Sequence, residues 1–136
     1  RPGAAILPRL VTPDTAALPR AGLRYVSPDP KLVDLSFAGR LPGHSASLTA
    51  IAAARTGDSV SLSRQGDRWQ VTDAKGVPLI RLSRAFSPPP GTRFLRGEVA
   101  AVLSWRREDG NEAYHHHLRR DAWEVILPEL VFQSEG

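Results

Sequence analysis

Residues 58–83 read DSVSLSRQGDRWQVTDAKGVPLIRLS, and this stretch decides the fold. Over 58–64, Val60 and Leu62 alternate with serines, the period-two pattern of a strand with one buried face. Gln65, Gly66 and Asp67 follow as a turn. Residues 68–72 (RWQVT) place Trp69 and Val71 on one face and Arg68 and Gln70 on the other. Residues 73–76 (DAKG) make a second turn, and 77–83 (VPLIRLS) put Ile80 and Leu82 inward and Arg81 outward. Short strands with turn signals every ~8–12 residues predict a small barrel or sandwich.

Downstream, residues 87–91 (SPPPG) break the pattern. The apolar stretches 94–107 (FLRGEVAAVLSWRR) and 122–132 (AWEVILPELVF) are predicted to pair as long strands, the polar 108–121 between them holding a short helix. Parity puts Trp105 with Val99 and Leu103, so the tryptophans read as core. Upstream, Val33, Leu35 and Phe37 alternate as a strand, and 39–43 reads as a loop. Residues 47–55 (SLTAIAAAR) are the one good helix, with Leu48, Ile51 and Ala52 on one face, Ser45 or Ser47 as cap and Gly57 after its end.

Residues 1–31, with Pro2, Pro8, Pro13, Pro19, Pro28 and Pro30, read as a Pro-rich arm or linker containing a short strand at 23–26. The expected architecture is all-β with a minor helix: a small OB-like or SH3-like barrel of about six strands over 32–136, its helix plugging one end. Its core is Val33, Leu35, Phe37, Leu48, Ile51, Val60, Leu62, Val71, Ile80, Leu82, Val99, Leu103, Val125 and Leu127.

The 136 residues suit one domain, and 41% hydrophobic with 24% charged residues is ordinary for a globular chain. No apolar run nears the ~20 residues of a membrane helix, and no signal-peptide pattern opens the chain, so a cytoplasmic location is expected. The absence of Cys removes a disulfide scaffold, a thiolate zinc site and a cysteine nucleophile. The absence of Met reads as a piece of a longer protein. The 18 bases exceed the 14 acids, giving a net charge of +4, and only Lys31 and Lys75 among them are not Arg. An Arg bias also follows from a GC-rich coding sequence, but guanidinium groups suit phosphate.

Enzyme chemistry finds little support. His115, His116 and His117, with His44 far upstream, are too closely spaced to chelate as a set and read as a solvated loop, with no metal. Asp58, Asp67, Asp73, Glu98 and Glu124 sit at strand ends and turns. No nucleophile elbow, P-loop or dinucleotide fingerprint is present, so neither catalytic residues nor a cofactor is expected. Arginines interleaved with aromatics on short strands are the equipment of single-strand binders. Arg68, Arg81 and Arg84, then Arg64, Arg106 and Tyr25, are the candidate nucleic-acid-binding residues.

The run from Gly57 and Asp58 through Val60 and Leu62, then Asp73, Gly76, Ile80 and Leu82, resembles a HIRAN domain over about 33–86. The remainder, with Trp105 and the stretch from Arg120 to Phe132, is similar to the C-terminal segments of some bacterial RecQ-type DNA helicases. Members of the HIRAN family that grip a DNA 3′ end carry an Asn-Pro-Tyr-Asp-type segment where this chain has Gln65, Gly66, Asp67, Arg68 and Trp69; Arg81 replaces the family's second glycine. The resemblance implies a HIRAN-like core (33–86) with a C-terminal strand pair (94–132). It also implies a non-catalytic accessory domain of a helicase or repair protein, with single-stranded DNA or a DNA junction and preceding helicase domains as partners. The rival expectation is a protein-interaction or interdomain packing module without DNA contact.

Overall fold

The computed structural model describes residues 22–110 and 112–135. Six antiparallel strands form one sheet in the order β1-β6-β5-β2-β3-β4: β1 (Leu23–Val26), β2 (Ser59–Gln65), β3 (Arg68–Thr72), β4 (Pro78–Arg81), β5 (Thr92–Arg106) and β6 (Ala122–Ser134). Two helices, α1 (Phe37–Arg40) and α2 (Ala46–Ala53), are the only α-helical elements among the described residues. The fold is therefore all-β with little helix, as the alternation predicts. The sheet stays open, with β1 and β4 at its two edges, rather than closing into the expected barrel.

The meander that decides the fold forms almost where its sequence places it. Gly66 and Gly76 end the two turns at φ +64° and +84°, a region where a Cβ is strained and glycine is not. Leu62, Val71 and Ile80 line up across β2, β3 and β4 on the core face. Asp73 organises the second turn by accepting from the Lys75 and Val77 amides, each at 2.9 Å. The paired β5 and β6 are the longest elements, and Leu23–Val26 joins the opposite edge of β6 as the short strand predicted there. The first 21 residues of the Pro-rich arm lie outside the described residues.

Three expectations are corrected. The stretch 33–37 is not a strand. Val33 makes only an isolated bridge to Leu82, after which Asp34 accepts from the Phe37 amide at 3.1 Å and from the Ser36 amide at 3.3 Å, curling the chain into α1. Gly39 is therefore helical and buried rather than the start of a loop. Its bareness is required: a Cβ there would come within 2.9 Å of the Trp123 ring.

The second correction is a bulge. Val99 faces Pro128, but Ala101 faces Leu127, so Ala100 is extra and Leu103 and Trp105 leave the face of Val99 to join Trp123 and Val125. The third concerns 108–121, where the helical content expected is two short 3₁₀ turns (Arg107–Asp109 and Glu112–His117), and the histidines, expected in a solvated loop, lie inside the second.

Every residue expected in the core is buried or packed against it, with Leu35, Phe37, Leu48, Leu62, Leu103 and Leu127 only part-buried. Leu79, Phe86, Ile126, Leu130 and Phe132 are the large buried residues the alternation did not single out. Trp123 is buried, whereas Trp69 and Trp105 are half-covered.

Candidate nucleic-acid interface

The end of the β2–β3 hairpin is built by a glycine turn and charged flanks. Arg64 and Trp69 are direct cross-strand partners, and the Arg64 guanidinium lies over the indole at 5.5 Å from the ring centroid. Such a stack is worth ~0.5–1 kcal/mol at an exposed site and holds the cation flat. Arg64 Nε also donates to the Gly66 carbonyl at 3.0 Å, which fixes the turn. Arg68 opposes Gln65 at the last rung and has no hydrogen-bond or ion-pair partner among the described residues. Arg84, beyond β4, donates from Nε to Asp67 at 2.9 Å, and both side chains are about 70% exposed (70% and 69%). A pair that open contributes little to stability. The hairpin end thus carries Arg64 with Trp69 on one face and Arg68 with Gln65 on the other, with Arg84 paired to the turn residue Asp67.

The other candidates are placed elsewhere. Arg81 shares the face of Arg68, since it pairs with Gln70, but it does not point freely outward. Its Nε and Nη2 donate to Asp34 Oδ2 at 3.0 and 2.8 Å, and Arg40 grips the same carboxylate through Nη1 at 3.1 Å and through Nη2. Burial pushes the Asp34 carboxyl up, and the hydrogen bonds and charges of Arg40 and then Arg81 more than reverse it, holding Asp34 below the ordinary carboxylate value. Arg81 is thereby committed to the fold.

Arg106 ends β5, eight residues beyond Glu98, the partner of Ser59. At about 3.3 Å per residue that is roughly 26 Å, in the direction opposite to the hairpin end, because β2 runs antiparallel to β5. Tyr25 is 59% exposed but lies across Val131 from Arg96, in a groove that also holds Glu98 and Glu129. Those two carboxylates face each other across the strands and repel a phosphate. The structure therefore keeps Arg64, Arg68 and Arg84 at the hairpin end, Arg64 and Arg68 on opposite faces of it, and does not bring Arg81, Arg106 or Tyr25 to them.

A second set of arginines was not singled out by sequence and turns out to be structural. Arg119 Nε donates to the Arg40 carbonyl at 3.1 Å. Arg120 donates to the carbonyl oxygens of Ala38 and Leu41, the latter at 2.7 Å. The Arg40 and Leu41 carbonyls lie at the C-terminal end of α1, and the Ala38 carbonyl also accepts from the Leu41 amide at 3.4 Å, so the cations cap α1 from the far end of the sequence. Trp123 Nε1 completes the clasp by donating to Leu35 O at 2.7 Å. Arg107 binds Asp121 at 3.1 Å and the His115 carbonyl at 3.0 Å. Among the described residues no cluster of His, Cys, Asp and Glu is arranged to hold a metal ion, and no helix is long and apolar enough to cross a membrane.

Comparison with protein-family models, with curated proteins and with solved structures finds no match to this chain.

Proposed function

We propose that the chain is a non-catalytic nucleic-acid-binding domain whose β2–β3 hairpin end contacts the phosphates of single-stranded DNA or of a single-strand junction. The observation that carries this reading is the hairpin end, where Arg64 lies over Trp69, Arg84 pairs with an exposed Asp67, and Arg68 has no partner among the described residues. Guanidinium forks bind phosphate oxygens bidentately, and an indole beside them offers a base a surface to stack on. In this reading the domain is HIRAN-like and serves the preceding helicase domains of a bacterial RecQ-type enzyme in the cytoplasm, holding a strand rather than reading its 3′ end.

A second reading, a packing module, is favoured by a different observation. Ala46, Ala50 and Ala53 of α2 line an apolar groove with Val77 and Leu79. Fluorescence-anisotropy titration of labelled oligonucleotides at several salt concentrations separates the two. The DNA reading expects binding of all sequences alike. It also expects the slope of log affinity against log salt to flatten by about one to two units in Arg64→Ala/Arg68→Ala. If the unaltered chain does not bind at low salt, or the double variant keeps its affinity and slope, the packing reading replaces it. Arg81→Ala is a poor probe, because it also breaks the Asp34 network.

A further inference from the structure

Outside the hairpin corner, the turn around α1 encloses a cavity of about 460 Å³ lined by Asp34, Ser36, Arg40, His117 and Leu118. Its charge is unbalanced. Arg40 and Arg81 share the single carboxylate of Asp34, while Arg119 and Arg120 bind carbonyls of the same turn and bring no counter-charge. Two guanidinium groups therefore share one carboxylate at the cavity. Asp121, next in sequence to Arg120, is engaged by Arg107.

Both Asp34 oxygens already accept hydrogen bonds, Oδ1 from the Ser36 amide and Arg40, Oδ2 from Arg40 and Arg81. Arg40 still holds donors in reserve. It gives one N–H from each terminal nitrogen to Asp34, and its Nε and second terminal hydrogens have no partner among the described residues. The Ser36 hydroxyl is likewise unpartnered there; only its backbone amide is engaged with Asp34. The His117 imidazole is exposed and lies tilted at 43° to that of His116, with ring centroids 3.8 Å apart.

We infer that this cavity is a binding site for a phosphate group, held by the spare donors of Arg40, the Ser36 hydroxyl and His117. Donors from separate chain segments lining one cavity suit a tetrahedral oxyanion, which accepts from several directions, better than a planar carboxylate, which a single fork satisfies. The site is distinct from the hairpin corner, and its test does not depend on what the hairpin does. Two sources share this chemistry: inorganic phosphate and the phosphate at the end of a nucleic-acid strand.

The probe is inorganic phosphate, added to the whole chain at constant ionic strength against a chloride control, with melting temperature as the readout. Phosphate at ten times its dissociation constant is expected to raise the melting temperature by about 5 °C, saturably, where chloride does not. Ser36→Ala and His117→Ala remove groups that hold nothing else in the fold, so both variants should melt near the unaltered chain without phosphate. Each should lose at least half of the phosphate-induced rise. No rise in the unaltered chain, or the same rise in both variants, overturns the site. A second arm compares short oligonucleotides with and without a 5′-phosphate, using the Arg64→Ala/Arg68→Ala chain so that the hairpin does not mask the result. A preference of threefold or more for the phosphorylated strand, abolished by Ser36→Ala, assigns the site to strand ends. Equal affinity alongside the phosphate-induced rise assigns it to free phosphate.

Discussion

The hairpin end and the α1 turn carry the same residue type to opposite ends. At the hairpin, Arg68 has no partner among the described residues, Arg84 touches an equally exposed Asp67, and Arg64 rests on an indole. At α1, Arg40 and Arg81 share a carboxylate whose side chain is only 12% exposed, and Arg119 and Arg120 fill the demand of backbone carbonyls. An exposed guanidinium keeps its hydration and its freedom, so it can exchange water for a ligand at little cost to the fold. A guanidinium that satisfies buried acceptors cannot leave without orphaning them. Charge counting treats the two sets alike; burial of their partners separates them.

The comparison breaks most easily at Asp34. Asp34→Asn removes the charge that two guanidiniums share and should cost about 3 kcal/mol in urea or thermal unfolding, as for other broken buried pairs. Its pH signature is specific. The folded carboxyl sits below its ordinary value of 3.8, so its contribution is fully present above that value and is lost as the pH falls through the folded one. The unaltered chain should therefore lose this stability below about pH 4, and the Asn variant should show a flatter acid limb. A variant of unchanged stability and unchanged acid limb would mean that the network is ornamental.

A smaller effect is expected at Gly39, where a methyl group would press on Trp123 and on Leu118, at 2.9 and 3.0 Å. Gly39→Ala should destabilise by about 2 kcal/mol, the usual size of an overpacked core site, despite alanine's better helix propensity. A stabilised variant, read by the same unfolding curves, would show that the clasp has room to yield.

The smallest effect sharpens the comparison from the other side. Arg84→Ala should change stability by less than about 0.5 kcal/mol, since it removes a solvent-exposed pair only. A loss comparable with that of Asp34→Asn would place the hairpin corner among the structural arginines and remove the basis for its role in binding.

The meander was legible because its signals are local. Alternation in 58–65 and 68–72, with Gly66 and Gly76 at positive φ, sets strand phase and turn position together. Val33, Leu35 and Phe37 alternate equally well, but a strand also needs a neighbour, and Asp34 turns the chain away after one bridge. The extra residue at Ala100 is silent in sequence, since Val99, Leu103 and Trp105 suit either face. The site was half legible for a related reason. Arg64, Arg68 and Arg84 lie close along the meander, so proximity could be read from it. The commitment of Arg81 to Asp34 spans 47 positions, and that of Arg120 to Ala38 spans 82, beyond any local pattern.

The position of β6 also sets the order in which the molecule can assemble. It lies between β1 and β5, and among the described residues β1 has no other strand beside it. Leu23 must find Gln133, 110 positions later by difference of their numbers. The equilibrium penalty for so long a loop is modest, because each doubling of length adds only about 0.6 kcal/mol, but the search for such distant partners is slow. The β2–β3 hairpin needs only its own few residues. On a chain emerging from the ribosome, the Arg64 and Arg68 corner is thus in place while β1 still waits for the strand that will pair with it.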